Sequence, residues 1–390
     1  MNQGKYVFSQ ITDMASRYQF DQCVRRYHGE YWVKKLSCWD QFLALSFGQL
    51  SFRKSLRDIV VCLTAHQEKL YHLGFRSKIS LPTLARANER RDCKIYLDFA
   101  NVLIAEARKL YVKEDIETLD ISEAVYVLDS TTIELCLSLF PWAHLPEKQA
   151  AIKLHLGLEL HGNIPSFFSL SRGKSADVLF LDQIKFEPGA YYVFDRGYHD
   201  FERFYTINTA QAFFVTRAKK NWSFRRLYSN PVDKTTGIRC DQIVVQGRHH
   251  HKKKYPAQLR RIKYYDAETN HYYVFLTNNF KLPAKVIAEL YKQRWQIELF
   301  FKWLKQHLAI ETFWGRSKNA VTTQICVAIC AYLLVAILKK RLNIQRNSYE
   351  ILQILSVSLF EKVPLIKLIS NTKSQIFDEP TQKQAKLGLF

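Results

Sequence analysis

Apolar residues recur at helical spacing through the first third of the chain. Leu50–His66 and Ile95–Tyr111 each carry them three and four apart, which predicts two amphipathic helices. Between them, Ile79–Arg91 reads as a shorter helix, with Ser80 suited to the N-cap and Pro82 to the first turn. From Ala124 the period changes to two. Ala124–Leu128 predicts a strand that ends at Asp129. Lys153–Leu160 alternates, with Leu154, Leu156, Leu158 and Leu160 on one face. Ile164–Leu170, Ala190–Phe194 (ending at Asp195) and Ala212–Thr216 are further strands, with helices expected at Val178–Ile184 and Phe201–Ala210. The stretch 217–278 has polar turns, alternating runs at Ile238–Val245 and Tyr272–Leu276, and a basic tip at Arg248–Lys254. Pro283 opens a long helix expected to run to about His307.

This order predicts an α/β protein. A helical N-terminal unit (1–118) precedes a mixed-sheet core (119–216 and 279–345), which a β-rich insertion (217–278) interrupts, and a helical segment (346–390) closes the chain. The acidic, polar stretch 114–120 marks the first boundary. The longest uncharged apolar run, Ile325–Leu338, is shorter than the ~20 residues a bilayer demands, so it predicts a buried core helix and no membrane partner. Met1–Arg17 has no apolar signal segment. The eight cysteines form no C-x-x-C pair and sit mostly in apolar runs, consistent with a reducing cytoplasm.

Charge changes the picture. The chain carries 57 Lys and Arg against 36 Asp and Glu, a net +21. A surface so basic calls for a polyanion, nucleic acid first. The excess is uneven: residues 101–200 hold 9 basic and 15 acidic side chains, whereas 201–350 hold 27 and 9. The acidic block contains Asp129 and Asp195. In the N-terminal unit, Arg86, Asn88, Arg90 and Arg91 lie on the short helix. They suit the recognition helix of a helix-turn-helix, or equally a solvated basic face in a bundle.

On a helical wheel Tyr291, Arg294, Glu298 and Lys305 fall within about 60° of one another, bordering an apolar face of Leu290, Ile297, Phe301, Leu304 and Leu308. A Glu there needs a cation, supplied by Arg and Lys or by a metal. Asp129 and Asp195 at strand ends, with Glu298 on a helix packed across them, make a hard-oxygen set for a divalent ion such as Mg²⁺. Two such ions clamp the attacking and leaving oxygens of a phosphoryl displacement.

These residues carry a family resemblance. Tyr291, Arg294, Glu298 and Lys305 match, without a gap, the Y-x(2)-R-x(3)-E-x(6)-K pattern of bacterial insertion-sequence transposases of the DDE type, insertion sequence family four. Val127-Leu128-Asp129-Ser130-Thr131 and Phe194-Asp195-Arg196-Gly197-Tyr198 are similar to that family's two aspartate segments. Ser55–Ile59 and Leu84–Asn88 resemble the N-terminal part of one branch. The resemblance implies a ribonuclease H-like core with a β-rich insertion before the last catalytic helix. It implies Asp129, Asp195 and Glu298 as catalytic metal ligands for two Mg²⁺ (or Mn²⁺) ions. It implies DNA phosphate contacts from Tyr291, Arg294 and Lys305, with Arg196 a weaker candidate; Arg86, Asn88 and Arg90 are expected DNA contacts on the helix-turn-helix reading. The expected partners are the element's terminal inverted repeats and target DNA, bound by a homodimer, with cut-and-paste transposition in the bacterial cytoplasm at the nucleoid.

Two other readings remain open. One is a DNA-binding derivative that has lost catalysis or been domesticated, against which the intact carboxylates argue. The other is a metal-dependent nuclease without strand transfer. Gly173-Lys174-Ser175 suggests a phosphate loop, but Phe168 stands where the partner glycine belongs. His199 and His307 read as packing or surface residues.

Overall fold

The computed structural model describes residues 4–370 apart from 113, 115, 117, 118, 120, 146–148, 309 and 311. Most of the boundary expected at 114–120, and residues 371–390 of the C-terminal segment, lie outside the described residues.

The N-terminal helices are α1 (Val7–Thr12), α2 (Arg17–Arg26), α3 (Cys38–Leu50), α4 (Leu56–Ala65), α5 (Leu81–Arg90) and α6 (Lys94–Tyr111). Leu50–His66 is therefore no single helix. Phe52 takes a left-handed φ of 54°, and Ser55 accepts the Asp58 N–H at 3.1 Å, which starts α4 afresh. The helix-turn-helix is not formed either. Residues 66–80 separate α4 from α5, where that motif has a turn of about 3–4 residues.

The sheet contains β1 (Val125–Leu135), β2 (His144–Leu145), β3 (Gln149–Glu159), β4 (Ile164–Arg172), β5 (Tyr191–Phe194) and β6 (Phe213–Arg217). It continues with β7 (Phe224–Asn230), β8 (Ile238–Gln246), β9 (Leu259–Asp266) and β10 (His271–Thr277). The order is β2-β3-β1-β5-β6-β10-β9-β8-β7, with β4 also on β3. The 217–278 stretch thus extends the core sheet, since β10 pairs antiparallel with β6 through Phe275↔Arg217. Its basic tip is a short helix, α8 (His249–Lys254), seated on α7 (Phe201–Thr209) through the His251 and Phe201 rings.

Alternation sorts the sheet's two faces. Val125, Val127, Tyr191, Val193 and Val215 join one apolar cluster, and Tyr126, Leu128, Tyr192, Phe194 and Phe214 the other. The first face carries the N-terminal helices together with α9 (Ala284–Lys292), α10 (Trp295–His307), α11 (Lys318–Arg341), α12 (Ser348–Ser358) and α13 (Leu365–Ser370). The second carries a 3₁₀ turn (Asp177–Gln183), where an α-helix was expected, and α7.

Helix α11 is apolar on every side and packs against α3, α5 and α6, so both ends of the chain share one helical layer. By length and composition it is long and apolar enough to cross a membrane, yet 94% of its most apolar window is buried inside the protein.

The long helix expected from Pro283 is broken. The Gln293 N–H is shared between Glu289 O and Leu290 O, and the Arg294 N–H turns back to Tyr291 O at 3.1 Å. This tighter turn separates α9 from α10.

Candidate active site

Sheet register builds the site. β1 and β5 run parallel with Leu128 opposite Phe194, and β5 and β6 run parallel with Phe194 opposite Thr216. The next residues, Asp129, Asp195 and Arg217, therefore stand side by side on three neighbouring strands. Alternation turns all three toward the face that carries α10. Asp129 does not end its strand as expected. β1 runs on to Leu135 against β3, and what ends at Leu128 is the parallel pairing with β5.

Ile297, Phe300, Phe301 and Leu304 bury one stripe of α10, leaving Glu298 on its exposed flank. Arg294 lies between the carboxylates: its Nη2 is 2.5 Å from Glu298 Oε1 and its Nη1 3.4 Å from Asp129 Oδ2. Lys305 donates to Thr132 O at 3.1 Å, tying α10 to β1. The Tyr291 ring packs on Phe275 with centroids 5.0 Å apart. Burial pushes its hydroxyl pKa up, Arg294 and Arg217 oppose this, and Asp195 adds to it. Of the expected DNA-contacting residues, Arg196 is exposed beside Asp195. A groove of ≈ 530 Å³ runs past Asp129, Ser130, Thr131, Glu298, Lys302 and Lys305.

The N-terminal residues lie elsewhere. Arg86 and Arg90 are exposed on α5. Asn88, expected to contact DNA, is 1% exposed, and the Asn319 amide donates to its carbonyl at 3.2 Å. The packing of α5 against α11 buries it, which the sequence of α5 alone does not reveal.

Asp177 was missed. It follows no strand and carries no motif. Its Oδ1 accepts Ser130 Oγ at 2.6 Å and Lys153 Nζ at 3.1 Å, and His155 Nδ1 lies 3.7 Å away. A Cβ on Gly197 would stand 3.0 Å from Asp195 Oδ1 and 3.4 Å from Asp177 Oδ2, so the glycine lets the two carboxylates approach one turn. Asp177 thus braces the residue after Asp129 and lies against the turn after Asp195. Arg217 was also missed, although the strand-end reasoning applied to Asp129 and Asp195 finds it one strand further on.

The carboxyl of Asp129 is pushed from 3.8 to about 6, first by burial and then by Asp195 and Glu298, against the Ser130 N–H and Arg294. The buried Tyr198 hydroxyl has no hydrogen-bond partner among the described residues, and burial with Asp129, Asp177 and Asp195 holds it neutral. The carboxylates supply hard oxygen donors of the kind a divalent cation takes, with Arg294 now lying between two of them. No group of three or more His, Cys, Asp or Glu among the described residues stands close enough to hold one in this arrangement, in which Arg294 balances Asp129 and Glu298. His199 is neutral: burial, then Lys219 and Arg196, push it down to about 3, and it bonds Thr216 Oγ1 at 3.0 Å.

A family model described as "Transposase DDE domain" matches residues 121–334, which hold Asp129, Asp195 and Glu298. The chain belongs to the DDE-type insertion-sequence transposases. A putative transposase of Sinorhizobium fredii, y4zB, is 33% identical over 265 residues, covering 67% of this chain and 71% of the relative. A probable transposase for the element IS5377 of Geobacillus stearothermophilus is 30% identical over 57% of this chain and 58% of its own. A putative transposase for the element IS4SA of Synechocystis is 25% identical over 70% and 77%. A domain of unknown function (DUF4372) matches residues 3–76 of the transposase. Family membership implies dependence on a divalent metal.

Two predictions arise at this site. If Asp129 and Asp195 hold the metal, Asp177→Ala lowers Mg²⁺-dependent cleavage of DNA by about 10–100-fold, the usual effect of removing a group that orients metal ligands. It also raises the Mg²⁺ concentration needed for half-maximal rate, and a rate loss with an unchanged Mg²⁺ requirement contradicts the bracing role.

The second concerns pH. The raised pKa means that the folded protein binds a proton at Asp129 which the unfolded chain releases, so metal-free stability falls as pH rises from about 4 to about 6. Ionised Asp129 then costs about 1–3 kcal/mol at neutral pH. If that carboxylate holds the metal, protons compete with the ion for it and cleavage declines below about pH 6. A pH–rate profile flat from 5 to 8 contradicts this.

Proposed function

We propose that this transposase cuts the ends of its element and joins them to target DNA at Asp129, Asp195 and Glu298, on a ribonuclease H-like core. The carrying observation is the parallel register that sets Asp129 beside Asp195 on the face covered by α10. Two Mg²⁺ or Mn²⁺ ions held by the three carboxylates would supply the Lewis acidity for phosphodiester hydrolysis and strand transfer. The side chains of the chain itself position the DNA. Lys305, on the groove, meets one phosphate, and Tyr291 and Arg217 meet the backbone beside Asp195. Arg294 exchanges its bonds to Asp129 and Glu298 for a phosphate once those carboxylates are otherwise engaged. Arg196 lies at the exposed rim, with Arg86 and Arg90 serving more distant DNA.

The spacing of Tyr291, Arg294, Glu298 and Lys305 supports membership of insertion sequence family four, with cut-and-paste transposition by a DNA-bound homodimer in the bacterial cytoplasm. We read residues 1–118 as the DNA-binding unit, 119–216 with 279–345 as the catalytic core, 217–278 as the insertion and 346–390 as the closing segment. The experiment is cleavage and joining of the element's own termini with Mg²⁺. Cleaved ends that join a second duplex support transposition, and cleavage without joining assigns a nuclease instead. Lys305→Ala flattens the salt dependence of DNA binding by about 0.9, one phosphate contact. An unchanged slope leaves Lys305 only its bond to Thr132.

A further inference from the structure

The loop between α2 and α3 carries chemistry that the catalytic site does not use. Tyr31 and Trp32 are 73% and 83% exposed, the latter a value matched only by Tyr71 among the exposed large hydrophobic residues described. Their rings stand edge to face, 5.3 Å apart at 72°. Trp32 has φ 61° and His28 φ 50°, left-handed backbone that costs of order 1 kcal/mol or more for such residues. A solvated loop gains nothing by holding two large aromatic rings in water.

The surroundings are basic. Arg25, Lys34, Lys35 and Arg76 are exposed and make no ion pair among the described residues. The nearby acids are already engaged. Asp21 pairs with Arg17 at 2.9 Å, Asp98 binds Arg26 and the Tyr27 hydroxyl, and Glu30 accepts the Cys38 N–H at 3.2 Å. Arg25, Tyr31 and Arg76 line one open hollow of ≈ 490 Å³, together with Arg17 and the engaged acids Asp21 and Glu30. The loop is also anchored. Arg91, at the end of α5, donates to the carbonyls of Leu36 and of Ser37, and the Arg76 N–H bonds Asp40, whose other oxygen accepts the Ser37 N–H at 2.9 Å. The aromatic pair is therefore presented on a fixed base.

We propose that this loop is a duplex-DNA contact separate from the catalytic groove, with Tyr31 and Trp32 as an apolar wedge in a groove and Lys34, Lys35, Arg25 and Arg76 on the flanking phosphates. The choice of DNA as partner rests on the transposase reading; the surface itself rests on exposure and charge. Uncommitted cations on both sides of an aromatic tip complement a polyanion with apolar base faces. A crossed ring pair is shaped as a wedge.

The test is a fluorescence-anisotropy titration of the full chain with a labelled random-sequence duplex over a salt series. Trp32→Ala weakens binding on the order of tenfold with the salt slope unchanged, because stacking is not ionic. Lys34→Ala with Lys35→Ala flattens the slope by about two. Both changes are on exposed residues, and circular dichroism of each variant matches the parent. Trp32→Phe retains most of the affinity. Parental affinity in Trp32→Ala, an unchanged slope in the lysine variant, or tighter binding to the single strand than to the duplex overturns the proposal. Loss of self-association alone in Trp32→Ala also overturns it, in favour of a protein interface. Terminal cleavage by the parent protein is scored separately. If cleavage fails while Trp32→Ala still weakens duplex binding, the catalytic reading falls and the surface stands.

Discussion

Replacing Asp129 or Asp195 by Asn, or Glu298 by Gln, is expected to reduce Mg²⁺-dependent end cleavage by about 10³-fold while leaving DNA binding unchanged or slightly tighter. Each substitution keeps shape and removes one negative charge from a pocket whose task is to hold positive charge at the transferring phosphate. Affinity is spared because the phosphate contacts come from other residues, such as Lys305. Asp129→Asn carries a second signature. The ionised parent pays for burial beside Asp195 and Glu298, so the amide raises the metal-free melting temperature at pH 7 by an amount that corresponds to about 1–3 kcal/mol and disappears near pH 4. A variant that is inactive and yet more stable identifies a strained functional carboxylate. Full activity in any one of the three, or a less stable Asp129→Asn, contradicts the assignment.

The largest stability effect is expected at Asp241. Arg260 and Asp241 are 5% exposed each and meet in a two-pronged pair, Nε to Oδ1 at 2.8 Å and Nη2 to Oδ2 at 2.7 Å. Arg260 also donates to Leu282 O at 2.6 Å, just before α9. The pair thus ties β8 and β9 to the start of the segment that carries Tyr291, Arg294 and Glu298. Asp241→Ala leaves a guanidinium buried without its counter-charge and destabilises by about 3–5 kcal/mol. Replacing both residues by apolar ones of similar volume costs far less, because no charge is then stranded. Urea unfolding of the single and double variants measures this, and equal losses in both contradict the explanation.

Much of the site was legible because it is local. A β-branched or aromatic run that stops at an aspartate announces a strand, and for Asp129 what stops there is the parallel pairing with β5 rather than the strand. The spacing of Ile297, Phe301 and Leu304 places Glu298 at the border of a buried face. The rest depends on contacts distant in sequence. Asp177 matters through Ser130 and Lys153, 47 and 24 residues away. Asn88 is hidden by α11, more than two hundred residues further on. The stretch 217–278 looked separate because β10 finds its partner in β6, beyond three intervening strands. The break at Gln293 leaves no mark in composition, since both residues of the turn keep right-handed backbone angles.

The most direct test of the central claim is a ligand-softness switch in a joined cleavage and strand-transfer assay. Asp129→Cys, Asp195→Cys and Glu298→Cys are each assayed in Mg²⁺ and in Mn²⁺, which accepts a sulfur ligand more readily. The account predicts loss of activity in Mg²⁺ at all three positions and recovery in Mn²⁺ at one or more of them, the behaviour of residues that bind the catalytic ions. Parental activity of these variants in Mg²⁺, or equal loss in both metals at every position, contradicts it.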